Sequence, residues 1–212
     1  MKDSNEITCM FVDIGGVLLT DGWVHDYRAL ASRTFHLDPE ELEARHHQAY
    51  ETYEAGMLSL EDYLKLVVFY RERPFTRDQF EQFMFAQSKP HPEMIELVRH
   101  LKAKYGLKIV VVSNEGRELN AHRIRAFGLD EFVDAFISSC YVHLRKPDVE
   151  IFRLALDIAQ VPAGKVVYLE NTSMFVQIAE SLGIRSILHT DYQSTCAQLA
   201  AFGLSSSGGE RP

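Results

Sequence analysis

The 212-residue chain carries 22 basic against 30 acidic side chains, a formal net charge of −8, and is 46% hydrophobic and 11% aromatic. Such a composition supplies one good-sized core, or a core with a small accessory domain, and excludes wholesale disorder. The acidic excess argues against broad binding to a nucleic-acid backbone, which needs a positive surface, but not against a small phosphorylated ligand neutralised locally by a metal and one lysine.

No apolar run reaches the roughly 18 residues of a membrane span. The segment Met1-Lys2-Asp3-Ser4-Asn5-Glu6 is polar and acidic, unlike the basic and then apolar start of a secretory leader, so a cytoplasmic protein is expected. Cys9, Cys140 and Cys196 are an odd set without CxxC spacing, which fits ordinary thiols better than a disulfide framework or structural zinc.

The first element, Ile7 to Val12, is short, apolar and rich in β-formers, as a strand buried on both faces should be. It runs into Asp13-Ile14-Gly15-Gly16-Val17, a carboxylate at a strand's carboxyl end followed by a glycine pair that permits a tight turn. Open α/β sheets place their ligands at such ends. Four helices are then predicted without a convincing strand, over Val24–Phe35, Pro39–Glu54, Leu60–Tyr70 and Arg77–Phe85. Ser59 with Asp62, and Thr76 with Gln79, have the spacing of capping boxes, although Asp reaches back less easily than Glu or Gln.

After Pro90 the pattern alternates. Helices are predicted over Glu93–Lys104, Arg117–Phe127, Asp148 (as cap) to Ile158, Met174–Leu182 and Thr190–Phe202. Strands are predicted over Leu107–Val112, Ala135–Ser138, Val166–Leu169 and Ile184–Leu188, and Ser205–Pro212 reads as a polar, frayed tail. The expected fold class is α/β, a Rossmann-like parallel sheet with helices on both faces and an inserted all-helical, four-helix bundle-like cap. The boundaries drawn are 1–20 and 88–204 for the core, 21–87 for the cap and 205–212 for the tail.

Four features fall at or beyond the carboxyl ends of strands: Asp13, Ser113-Asn114, Lys146 and Glu170-Asn171. Alone, each has an ordinary reading as a helix cap, a turn pair, a solvated lysine or a surface carboxylate. Their shared location is what raises them together, because the fold gathers strand ends.

In this order the sequence resembles the haloacid dehalogenase-like superfamily over essentially the whole chain except the tail. Asp13-Ile14-Gly15-Gly16-Val17 matches its first motif apart from a missing second Asp, and Ser113-Asn114 matches the second. Lys146-Pro147-Asp148 matches the third, and Glu170-Asn171 through Leu182-Gly183 the fourth. The resemblance implies that Asp13 attacks a phosphoryl group and forms an aspartyl-phosphate that water hydrolyses. It further implies that Ser113 and Lys146 contact the phosphate, with amides of the Ile14–Gly16 turn and of Asn114 completing the cradle. Mg²⁺ would be held by Asp13, the Gly15 carbonyl and Glu170, with Asn171 as a further oxygen.

Two departures stand out. Gly15 replaces the Asp that serves most family phosphatases as general acid and base, a loss typically worth about 10²–10⁴-fold, although Asp-x-Gly-x-Val also occurs in members resembling sugar-phosphate phosphatases. Asn171 replaces a second carboxylate. The leading expectation is therefore a Mg²⁺-dependent phosphatase for a small phosphorylated metabolite, without nucleic-acid or membrane partners. Alternatives are a catalytically impaired relative that binds a ligand or protein, and a 2-haloacid dehalogenase in which Asp13 attacks carbon without a metal. A phosphonate-cleaving enzyme fits less well, since no cap lysine is placed for a Schiff base. His46-His47 reads as helix surface in the cap, His143 and Arg145 as near the entrance, and Glu115 and Arg117 as capping or surface charges. The aromatics Tyr50, Tyr53, Phe69, Tyr70, Phe80, Phe83 and Phe85 read as bundle core, one or two of them lining the cleft.

Overall fold

The computed structural model describes residues 6–206, so the ends 1–5 and 207–212, with most of the tail, lie outside the described residues. Its centre is β1 (Cys9–Val12), every residue of which is buried. With β2 (Lys108–Ser113), β3 (Ala135–Ser138), β4 (Val166–Glu170) and β5 (Arg185–Leu188) it forms a five-stranded parallel sheet in the order β3-β2-β1-β4-β5.

The pleat sends alternate side chains to opposite faces, and the sequence is apolar at both phases. Met10, Val12, Ile109, Val111, Val167 and Leu169 join one buried cluster, while Cys9, Phe11, Val110, Val112, Val166 and Tyr168 join the other. The order reverses at β1: the chain leaves it for β2 and β3 on one side and returns to β4 and β5 on the other. A cleft opens at such a switch point.

Between β1 and β2 lie α1 (His25–Phe35), α2 (Pro39–Glu54), α3 (Leu60–Val67), α4 (Arg77–Ala86) and α5 (Pro92–Tyr105). Helices α1 to α4 pack around their own apolar cluster, separate from the two that flank the sheet. Trp23, Phe35, Phe75, Phe80 and Phe83 meet there largely edge-on or tilted, geometries that the ring quadrupole favours. Thr76 and Gln79 close a complete capping box on α4. At α3, Ser59 accepts from the Asp62 amide, but the Asp62 carboxylate accepts a hydrogen bond from the Ser59 hydroxyl at 2.7 Å instead of reaching the backbone.

Helix α3 stops at Val67, three residues before the predicted end at Tyr70. Arg73 Nε donates to the Val68 carbonyl, and the Tyr70 ring lies 3.4 Å below the Arg45 guanidinium. Those contacts replace the next helical turn. His46 also departs from its expected surface place: it is buried, with Nδ1 2.7 Å from the Tyr63 hydroxyl. That hydroxyl accepts from Trp23 Nε1 at 3.0 Å, so its own proton is available to His46. Burial holds the His46 pKa down at about 3 and keeps the ring neutral.

The remaining helices are α6 (Arg117–Ala126), α7 (Ser139–Val142), α8 (Val149–Ala159), α9 (Ser173–Ser181) and α10 (Tyr192–Ala201). The single turn α7 was not foreseen. Asp148 caps α8 as expected, and α10, capped by Asp191, starts two residues after the predicted Thr190. No helix among the described residues is long and apolar enough to cross a membrane.

Candidate active site

β1 ends beside β2 and β4, and the Asp13 amide continues the sheet by donating to the Leu169 carbonyl at 3.0 Å. This places Asp13 between the ends of β2 and β4, next to Ser113 and Glu170. The Asp13 carboxylate is buried: Oδ1 accepts from the Ile14 amide at 2.8 Å and Oδ2 pairs with Lys146 Nζ at 3.0 Å.

Lys146 is sunk beneath the strand ends. Its Nζ also meets Glu170 Oε2 at 2.7 Å and the Tyr168 hydroxyl at 3.2 Å, and lies 5.0 Å from the Phe175 ring centre. Burial pulls its pKa down, but the Asp13 and Glu170 carboxylates outweigh that and raise it above the ordinary lysine value. The loop that carries it is fixed by Asn114, whose amide donates to the Lys146 carbonyl and accepts from the Lys146 amide, both at 2.8 Å. Lys146-Pro147 is a cis peptide.

A cavity of about 160 Å³ opens above this pair, lined by Asp13, Gly15, Ser113, Asn114, Lys146 and Asn171, among others. Sequence-predicted residues from all four motifs thus meet at one place. Two of them sit otherwise than expected. The Gly16 amide, assigned to a phosphate cradle, donates to the Leu19 carbonyl at 2.8 Å because the turn closes on itself at φ +69°. What the glycine provides is space: a Cβ there would lie 1.9 Å from Asn171 Nδ2. Glu170 does not line the cavity. Its Oε2 serves Lys146 and the Tyr168 hydroxyl, and its Oε1 accepts from the Thr172 amide at 2.9 Å.

Residues that carry oxygens suited to a hard divalent cation are nevertheless present, since Asp13, Gly15 and Asn171 line one cavity. Among the described residues, no three His, Cys, Asp or Glu side chains cluster as metal ligands, so such a site depends on carbonyl and amide oxygens. Asn171 Nδ2 donates to Asp21 Oδ1 at 3.1 Å, and a carboxylate can only accept, so the amide oxygen is the atom of this side chain that could serve a cation.

Asp21 and Glu54 were missed. Both line the cavity with Asp13, Asp21 from the turn after β1 and Glu54 from the last residue of α2. A readable signal existed for Glu54, because a carboxylate at a helix C-terminus opposes the macrodipole. Arg145, expected near the entrance, donates from Nε and Nη2 to Glu54 Oε2 at 3.1 and 2.7 Å. The neighbouring contacts reinforce this junction: Ser139 Oγ donates to the Glu54 carbonyl at 2.7 Å, and His143 Nδ1 lies 2.7 Å from the Ala55 carbonyl. Gly56, at φ +71°, lets the chain pass so close that a Cβ would lie 2.0 Å from the Cys140 carbonyl.

Glu115 is likewise no surface charge. It is sealed against the fully buried Arg123, which also donates to the Thr20 carbonyl, and burial pushes the Glu115 pKa up to about 7. Arg117 donates to the Cys140 carbonyl at 2.7 Å.

Comparison with known proteins agrees with this fold. One curated relative, the phosphorylated carbohydrates phosphatase of Thermotoga maritima, is 29% identical over 99 residues, 47% of this chain and 45% of its own length. The match therefore spans about half the length of either protein. A HAD family enzyme from Bacteroides thetaiotaomicron, solved with magnesium and inorganic phosphate, superimposes with a TM-score of 0.73 at 15% identity, covering 89% of this chain and 98% of that one. The L-2-haloacid dehalogenase of Xanthobacter autotrophicus superimposes at 0.60, with 16% identity over 94% and 84% of the two chains. Residues 7–184 match the haloacid dehalogenase-like hydrolase family, and the chain belongs to it.

Proposed function

We propose that this hydrolase removes phosphate from a small phosphorylated metabolite, with Mg²⁺ and through an aspartyl-phosphate on Asp13. The observation that carries the reading is the Asp13–Lys146 pair, 3.0 Å apart, at the floor of a cavity that Ser113 also lines. The phosphatase name of the Thermotoga relative and the phosphate complex of the Bacteroides neighbour support it.

The Asp13 carboxylate forms a bond to phosphorus as the bond to the leaving oxygen breaks, and water then displaces the carboxylate. Lys146 offsets the charge of carboxylate and phosphate together, and the Ser113 hydroxyl donates to a phosphoryl oxygen. Asp13, Gly15 and Asn171 are the residues that would hold Mg²⁺; Glu170 would join them through Oε1, which now accepts only from the Thr172 amide. Bound there, the cation supplies positive charge to the phosphoryl oxygens. Residues 21–87 act as a cap over a core of 1–20 and 88–204, and closing them over a small substrate excludes water. A cytoplasmic setting fits the free thiols Cys9, Cys140 and Cys196.

The test is phosphate release from a panel of sugar phosphates and 4-nitrophenyl phosphate, with Mg²⁺ or EDTA, alongside halide release from 2-chloropropionate. Release that needs Mg²⁺ and vanishes in Asp13→Asn is expected. Equal release by wild type and Asp13→Asn sinks the reading, and halide release would replace it.

A further inference from the structure

The core offers no side chain at position 15 to protonate a leaving group. A Cβ at Gly15 would meet nothing nearer than 3.6 Å beyond its chain neighbours, so the position is open as well as bare. Besides Asp13 itself, three carboxyl groups line the same cavity: Asp21, Glu54 and Glu115. Each accepts on one oxygen: Asp21 from the Asn171 amide, Glu115 from the buried Arg123, and Glu54, on Oε2, from Arg145. Asp21 thereby holds a residue that would bind Mg²⁺, and the Glu115 side chain is sealed at 2% exposure, whereas that of Glu54 keeps 28% and leaves Oε1 without a hydrogen-bond donor among the described residues.

We propose that Glu54, delivered to the cavity by α2, is the general acid and base whose usual place in the core is taken by Gly15. This rests on the phosphatase reading and adds a residue to it. As Asp13 attacks and the ester P–O bond breaks, the proton on Glu54 passes to the departing oxygen, giving the free alcohol and a Glu54 carboxylate. A water molecule then attacks phosphorus, leaves one proton on Glu54 and releases inorganic phosphate and the Asp13 carboxylate. Atoms, charge and protons return to their starting state.

The surroundings suit both roles. Burial raises the Glu54 pKa, the Asp13 charge adds to the rise, and Arg145 and Lys146 oppose it. Glu115, on the β2–α6 connection, is a further carboxyl that interacts with Glu54, and Glu51 on α2 shares Arg145. The carbonyl end of α2 disfavours a carboxylate. A dianionic phosphate entering the cavity pushes the same way, so the acid form is favoured when substrate binds and the base form once Asp13 has lost its negative charge to the bond with phosphorus.

The experiment compares kcat/KM for the sugar phosphate hydrolysed fastest by wild type with that for 4-nitrophenyl phosphate, whose nitrophenolate departs with little need of a proton. Glu54→Gln should lower the first by about 10²–10⁴-fold and the second by less than a tenth of that factor, and should remove one limb of the kcat/KM pH profile. Adding Gly15→Asp to Glu54→Gln should restore at least tenfold on the sugar phosphate. Misfolded molecules lower both substrates equally, so their ratio reads the chemistry alone. If Glu54→Gln does not fold, Glu54→Asp is read by the same ratio. Equal losses on both substrates, or a loss below threefold on the sugar phosphate, overturn the proposal for Glu54 while the Asp13 reading stands. A wild type without Asp13-dependent phosphate release overturns both.

Discussion

Asp13 and Glu170 share one cation: the Lys146 ammonium lies 3.0 Å from the first carboxylate and 2.7 Å from the second. The three side chains are buried, and their charges do not cancel, since two carboxylates share one ammonium. Removing the ammonium leaves both carboxylates without their cation, a change that usually costs about 3–5 kcal/mol. Lys146→Met should therefore lower stability by that order in urea denaturation as well as abolish turnover. Because the folded Lys146 pKa is raised, its contribution is fully present below the unfolded lysine pKa of about 10.4 and is lost as pH climbs through the higher folded value. Between those two values wild type should thus lose stability more steeply than Lys146→Met.

A second expectation concerns Gly16, Asp21 and Asn171, which pack so closely that a methyl group on Gly16 would overlap the Asn171 amide at 1.9 Å and the Asp21 carboxylate at 2.8 Å. Asp21→Ala removes the acceptor that fixes the Asn171 amide. Loss of an orienting partner typically weakens metal affinity by about 10–100-fold. Calorimetric Mg²⁺ titration should show a weakening of that order for Asp21→Ala and at least as much for Gly16→Ala, which also strains a positive φ. Unchanged Mg²⁺ affinity in both would remove Asn171 from the cation site.

The sheet and its gathered strand ends were legible because β1, β2 and β4 are apolar at both phases of the pleat, a pattern that depends only on neighbours in sequence. Asp13, Ser113 and Lys146 follow from that frame. Asp21 and Glu54 were not legible in the same way, since their partners Asn171 and Arg145 lie 150 and 91 residues away. Helix periodicity placed Glu54 on α2 but could not say that its end is pressed against Ser139 and Cys140. His46 shows the same limit from the other side. A polar residue on an amphipathic helix reads as surface until Tyr63, from the next helix, supplies its hydrogen bond.

That buried histidine gives an acid-side prediction. The folded pKa lies near 3 and the unfolded one near about 6.5, so between those values the unfolded chain binds the extra proton and stability rises with pH. Acidification through that window should lower the unfolding midpoint. His46→Phe should flatten the dependence there, at a cost of roughly 1 kcal/mol for the lost Tyr63 hydrogen bond. An identical acid slope in the two proteins would show that His46 takes up its proton without unfolding.

Glu115 titrates in the opposite sense, and the pair it forms with Arg123 decides how the turn after β1 is held. Arg123 comes from α6, receives Glu115 from the end of β2, and donates to the Thr20 carbonyl just before Asp21. Arg123→Met would leave Glu115 buried without its cation, and the carboxyl, already raised to about 7 with Arg123 present, would rise further and stay protonated at neutral pH. The folded state then binds a proton that the unfolded chain, with a glutamate pKa near about 4.3, does not. Stability of the variant should accordingly fall as pH increases from that value through neutrality, with a total cost of about 3–5 kcal/mol at pH 7. Substituting both partners as Glu115→Gln with Arg123→Met should recover a large part of the loss, because no proton then has to be taken up on folding. If the double variant is no more stable than Arg123→Met alone, the missing hydrogen bond to Thr20, rather than the protonation of Glu115, accounts for the loss. Mg²⁺ affinity would then fall with it, through the displaced Asp21.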